Sequence, residues 1–406
     1  MRGAWDRRKG RIAVGNGGKR GPAAVGLVIL LTVLFCLSAR AEEVSVWTEE
    51  GSVSGDLGEY DFSQVEEWVR EEMDGGEEFS FTELLGLLMS GQLGEVAGLL
   101  ARTAGASLKD GLAAGAGFLG QVVVLGLSGA VFAGFAGVFR TGQISETGFF
   151  ITYLLLCALL AAGFGEGVRL AGETLGQVLE FMRALMPAYF LAVAFSGGAV
   201  TAAGLYECML FLLTGVQWLF LSLFLPGIQI CFLLMLAGHM VKEDMLSRFR
   251  DLVGTGISWG VKTLMGLVVG FHLLQGLVLP YADAVKNSGL IRVMEVIPGI
   301  GGGVGAAANM VMGSGVLIKN TIGAGAVFVL AVIALAPVVK LVILAFLYQL
   351  AAAVLEPICD RRITDCVSEA AEGYRMLVRL TASALALFVI SIAMICAATN
   401  VTYYAG

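Results

Sequence analysis

The sequence predicts an all-α, polytopic helical membrane protein with six to nine spans, a cleavable signal peptide and a small helical extracytoplasmic region before the first span. Three observations carry this. The 406 residues are 57% hydrophobic and only 15% charged, where a soluble chain carries about 25% charge. Apolar runs of spanning length recur from residue 112 onward. The charge is also sorted along the chain into three zones, which implies three surroundings.

The first zone is residues 1–41. Arg2, Arg7, Arg8, Lys9, Arg11, Lys19 and Arg20 precede the apolar run "AAVGLVILLTVLFCLSA" and then Ala39-Arg40-Ala41. A basic n-region, an apolar core and an A-x-A site predict cleavage after Ala41. A retained first span is the other reading of the same residues.

Residues 42–110 form the second zone, with seventeen Asp and Glu against Arg70, Arg102 and Lys109. Loops kept inside the cell are rich in Lys and Arg, so this near-absence predicts an extracytoplasmic region. Ser63-Gln-Val-Glu66 and Ser80-Phe-Thr-Glu83 read as capping boxes opening amphipathic helices. Phe62, Val65, Trp68 and Val69 share one face, and Leu84, Leu87, Leu88, Val96, Leu99 and Leu100 another. Two or three short helices are expected, with Gly75-Gly76 as a break.

The third zone, 111–406, is the membrane domain and holds fifteen residues of each sign. A spanning helix needs about 20 apolar residues. Candidate spans are 112–138, 148–165, 188–206, 208–225, 227–241, 256–279, 321–337, 338–355 and 381–400. The stretches 208–241 and 321–355 carry Pro226 and Pro337 near their middles. Each is two joined spans, one kinked helix or a pair of re-entrant half-helices, because proline frees a carbonyl that needs another partner. Interfacial segments are expected near 166–186, 242–251, 281–320 and 356–379. Gly266 and Gly270, with the pairs Ala130/Gly134 and Ala133/Gly137, are small-residue patterns suited to close helix packing. The seven cysteines show no metal or disulfide spacing.

The segment "PGIGGGVGAAANMVMGSGVLIKN", 298–320, raises the question of a phosphate-binding loop. Its lysine stands four residues past the last glycine, Asn320 replaces the required hydroxyl, and Val304 occupies the third-glycine position of a dinucleotide fingerprint. Nucleotide binding is therefore not expected. Gly299, Gly301, Gly302, Gly303 and Gly305, with Asn309, Lys319 and Asn320, read as a flexible, partly re-entrant or interfacial segment, with Lys319 anchored at the head groups.

Ionisable groups at membrane depth invite a functional reading. Lys262, Lys340, Gln349 and Glu356 are the candidate polar path or buried ion pair, and snorkelling lysines are the bland alternative. His272 reads as a hydrogen-bonded packing residue. HExxH and paired intramembrane aspartates are missing, so no catalytic residue and no cofactor is assigned. A sequence pI of about 5.1 without basic patches disfavours nucleic acid.

Three blocks carry a resemblance: "LMPAYFLAVAFSGGAVTAA" (185–203), "MGSGVLIKNTIG" (312–323) and "APVVKLVILAFLYQLAAAVLEPICD" (336–360). In sequence and order they resemble the stage III sporulation protein AE family, polytopic membrane proteins of endospore-forming bacteria. The resemblance spans about 60–406. It implies a multi-pass protein in the mother-cell membrane around the forespore, and a non-enzymatic subunit of a transenvelope, secretion-like channel complex. It also implies partners among the other membrane subunits or further copies of the chain, and it supplies no catalytic residues. The alternative from another class is a stand-alone secondary transporter or permease with its site at the helices broken by Pro226 and Pro337.

Overall fold

The computed structural model describes residues 61–72, 80–136, 142–196, 199–238, 245–295 and 301–404. Every described element is a helix, and no strand occurs among them. In chain order they are α1 (Ser63–Glu72), α2 (Phe81–Met89), α3 (Leu93–Ala136), α4 (Gly142–Phe195) and α5 (Ala199–Trp218). A π-helical turn (Leu219–Phe224) joins α5 to α6 (Leu225–Gly238). Then come α7 (Met245–Glu295), α8 (Gly301–Leu355) and α9 (Arg361–Tyr404). The signal residues Ala39 and Ala41, the Gly75-Gly76 break and Gly299 lie outside the described residues.

Among the described residues six helices are long and apolar enough to cross a membrane, so the chain is an all-α polytopic membrane protein. They cover Gly94–Val131, Phe150–Phe195, Ala202–Gly238, Arg248–Leu277, Gly313–Leu355 and Arg361–Ala397. The nine apolar runs become six through mergers. The runs 321–337 and 338–355 are one helix, α8, which passes through Pro337. The runs 208–225 and 227–241 lie largely on the continuous stretch from α5 to α6. Pro226 cannot bond the Ser222 carbonyl and would collide with it, and the wider π turn just upstream takes up that misfit. The expected span 188–206 does not exist as one helix: it divides between the end of α4 and the start of α5.

Segments expected as interfacial or flexible are also continuous helix. Residues 166–186 are the middle of α4, and the glycine-rich segment from Gly301 is the first part of the 55-residue α8. Glycine weakens an isolated helix, but here it allows helices to touch. A methyl on Gly315 would stand 2.9 Å from the backbone nitrogen of Ser196, so α8 runs against the end of α4 with no room for a side chain. By contrast Gly266 and Gly270, the pattern singled out in the sequence, meet nothing within 4 Å.

Helix α8 is the hub, packed against α9, α3, α4 and α2. Gly111 and Gly115 of α3 lie under Ile343 and Leu347 of α8. Beside them Phe118, Tyr348, Tyr374, Phe164 and Phe232 form a chain of ring contacts, from the stacked Phe164–Phe232 pair (centroids 3.8 Å) to the stacked Tyr348–Tyr374 pair (5.2 Å). Offset and edge contacts of this kind add about 0.5–1.5 kcal/mol each beyond area burial.

The amphipathic faces of α1 and α2 are buried as their spacing predicts, but against the membrane helices. Trp68 packs on Phe181 of α4, and Phe81 and Leu85 fill the space over Gly325 of α8. The boundary drawn at residue 110 falls inside α3, which is helical from Leu93. The capping boxes are not formed. Asp61 accepts from the Ser63 backbone N–H at 3.0 Å, and Ser80 takes the N-cap position of α2 without a side-chain cap bond. Glu66 instead accepts hydrogen bonds from the Ser80 and Thr82 hydroxyls, which ties α1 to α2.

Candidate functional site

The residues selected from the sequence do not converge. Lys262 is exposed on α7, and Lys340 is half-buried on α8 with its stem beside Gly111 of α3. Gln349 is exposed and accepts a hydrogen bond from Arg375 Nη2 at 3.1 Å. Glu356 is exposed just past the end of α8. Among the described residues no ion pair joins Lys262, Lys340 or Glu356 to another charge. Other charges do pair: on α9 Glu372 with Arg375 (3.0 Å) and Arg379 (3.1 Å), between α9 and α7 Glu369 with Arg250 (2.8 Å), and further pairs lie along α4.

Two buried polar groups were placed differently by sequence reasoning. Lys319, expected at the head groups, is fully buried. Its helix packs along the end of α4, and one turn later Gly323 faces the Cys396 sulfur, which lies 3.0 Å from the Tyr189 hydroxyl. The helical frame could have found this, because Lys319 follows Gly315 by four residues on the same face. Asn320 follows it, with its Oδ1 buried and unbonded.

His272 behaves as the sequence reading has it. Its Nε2 lies 2.9 Å from Ser391 Oγ on α9, and its Nδ1 lies 3.1 Å from the Gln275 side-chain amide. The Ser391 hydroxyl also lies 2.9 Å from the Leu387 carbonyl, so the ring is held between a hydroxyl and an amide that each meet one of its two nitrogens.

The most extensive polar feature is the outer face of α4. Glu166, Arg169, Glu173, Glu180 and Arg183 are all exposed and recur at helical spacing. Arg169 bridges Glu166 (2.9 Å) and Glu173 (2.7 Å), and Arg183 Nη2 donates to Gln217 Oε1 of α5. The opposite face of the same turns, Phe164, Ala171, Leu175, Val178 and Phe181, is buried in the core. The apolar face holds α4 in the bundle, and the charged face is left open.

A family model described as stage III sporulation protein AE matches residues 65–399. The chain belongs to this family. A curated relative, the stage III sporulation protein AE of Bacillus subtilis (strain 168), is 25% identical over 285 residues, which is 70% of this chain and 71% of that protein. No solved structure matches the chain. Membership supports a role in sporulation, and the six apolar helices make the protein multi-pass in a membrane. The three blocks that carry the family resemblance fall at the α4–α5 junction, around Gly315–Gly323 of α8, and at the Pro337 end of α8. The first two meet where Gly315 touches Ser196. The match also takes in most of α1 and all of α2, the helices docked on the membrane bundle.

Proposed function

We propose that the protein is a non-enzymatic membrane subunit of the transenvelope, secretion-like channel complex that links mother cell and forespore. It sits in the mother-cell membrane around the forespore and is needed for forespore development. Family membership supports the sporulation setting. The observation that carries the subunit reading is the open charged face of α4, set within one of the six apolar helices. A face of that kind calls for water or a polar neighbour instead of lipid. No group of three or more His, Cys, Asp or Glu suited to a metal gathers among the described residues.

The experiment is purification of the tagged full-length chain from sporulating cells in mild detergent. Recovery of the other membrane subunits, and failure of forespore development when the chain is absent, supports the proposal. Solute movement by the chain alone in liposomes would instead support the stand-alone transporter. That alternative placed its site at breaks near Pro226 and Pro337, and the helix is continuous through both. The polar-path role for Lys340 is read by Lys340→Met: normal assembly and normal spore formation would remove it.

A further inference from the structure

We infer that the charged face of α4, from Glu166 to Arg183, is wetted at membrane depth and lines a water-filled path that a second copy of this chain closes. This rests on the channel reading above and says which surface does the conducting.

The tier in which these charges sit is set by contacts. Phe164 of α4 stacks on Phe232 of α6 at 3.8 Å, and a methyl on Gly172 would stand 3.2 Å from Leu225 Cδ2. A methyl on Gly227 would stand 3.2 Å from Ile257 Cδ1 of α7, and one on Gly260 would stand 2.8 Å from Phe224. Residues 164–172 of α4, 224–232 of α6 and 257–260 of α7 therefore lie at one height in the bundle. At that height the α6–α7 side exposes Leu223, Ile230, Leu233 and Trp259, the last with 69% of its surface open. The α4 side exposes Glu166, Arg169 and Glu173, with side chains 72%, 63% and 52% open.

One medium does not suit both sides. If this tier lay in water, an apolar surface containing a tryptophan would be uncovered. If lipid surrounded it, each charge would be costly to hold, and the two ion pairs of Arg169 leave Glu180 and Arg183 unrelieved by a carboxylate or ammonium partner. Lipid on the α6–α7 side and water on the α4 side satisfy both. Pro187 agrees with this. It is exposed on the same face and removes the backbone donor that would bond the Arg183 carbonyl. A carbonyl freed toward lipid has no partner, whereas water supplies one.

From Glu166 to Arg183 is seventeen residues, about 26 Å of helix, close to the thickness of the hydrocarbon core. A single outward-facing stripe cannot enclose water, so a second surface is required. The order Glu, Arg, Glu, Glu, Arg mixes signs, so in two copies running parallel across the membrane each arginine of one stripe stands within one turn of a glutamate of the other. A second copy therefore fits as the closing wall, and hydrophilic solutes are the class such a path would pass.

The test uses full-length chains in native membranes, each with Glu173→Cys, Glu180→Cys, Ile230→Cys or Trp259→Cys, alongside the unsubstituted chain. They are treated with a charged, water-restricted methanethiosulfonate and, in parallel, with a lipophilic maleimide. The reactive species is the thiolate, which forms in water and not in lipid, so the α4 cysteines should react at least about tenfold faster with the charged reagent than the α6 and α7 cysteines. Bifunctional linking through Glu180→Cys should give an adduct of twice the chain's mass. Unreactive α4 cysteines, or equal reaction at Trp259→Cys, would overturn the wetted face. An adduct only with a different protein would overturn the second copy as its wall. Two separate α4 substitutions guard against one of them misfolding. Co-purification with other subunits is read separately, so failure here is distinguishable from failure of the subunit proposal.

Discussion

Tyr374 of α9 donates its hydroxyl hydrogen to the backbone carbonyl of Gly163 on α4 at 2.6 Å, while its ring stacks on Tyr348 of α8. Three helices meet at this point because Gly163 has no side chain. A methyl there would come within 2.4 Å of Phe118 and 2.9 Å of the Tyr348 hydroxyl. Gly163→Val should therefore destabilise the protein by about 1–3 kcal/mol, the usual cost of overpacking a fitted core. Tyr374→Phe should cost about 1 kcal/mol, the net worth of one hydrogen bond. Thermal unfolding of the purified variants in detergent checks both, and a smaller loss for Gly163→Val than for Tyr374→Phe would contradict the packing account.

Glycines in apolar helices should not behave alike. Gly315→Ala puts a methyl against the Ser196 backbone, which cannot rotate away, and should lower stability. Gly266→Ala meets open space and should be neutral or stabilising by up to about 1 kcal/mol, since alanine is the better helix former. The same unfolding measurement ranks the pair.

The link between α1 and α2 should depend on pH. The hydrogen bond from the Thr82 hydroxyl holds the Glu66 carboxyl below its ordinary value, with Ser80 and Arg70 assisting and partial burial opposing. A carboxyl whose folded-state pKa is depressed adds stability above its unfolded value and loses it as pH falls through the folded one. The contact of Trp68 with Phe181 should therefore loosen as pH drops through the carboxylate range, and Glu66→Gln should flatten that dependence. Tryptophan fluorescence, in a chain whose other tryptophans are replaced, follows it.

Cys157 of α4 and Cys366 of α9 hold their sulfurs 3.9 Å apart, although 209 positions separate them. Copper-phenanthroline oxidation of the membranes should join them, removing two protons and two electrons to the oxidant. Mass spectrometry of the digested protein should then find a Cys157–Cys366 peptide pair. Its absence under conditions that link an exposed control pair would show that the two helices are not held as described.

Local patterns reached a long way here. The amphipathic faces of α1 and α2 were legible because burial of Val65, Val69 and Leu84 follows helical periodicity. His272 was legible because a lone imidazole in an apolar run has to find hydrogen-bond partners. The misreadings share one cause. Glycine was taken as a break from Gly301 to Asn320, and proline as a break or kink near Pro226 and Pro337, since in an isolated helix both are unfavourable. In the folded chain their cost is offset by neighbours: Ser196 against Gly315, and the π turn before Pro226.

Composition, the recurrence of apolar runs and the sorting of charge determined by themselves that this is a helical, multi-pass membrane protein, because those properties reflect the solvent each segment tolerates. Three short blocks identified the family for the same local reason. Which runs merge into one helix, which lysine is buried and which helix face stays open were decided only in three dimensions. Lys319 and Lys262 both lie among apolar residues, yet one is enclosed by α4 and α9 and the other points outward. Neighbours brought from distant parts of the chain make that difference, and no window of sequence contains them.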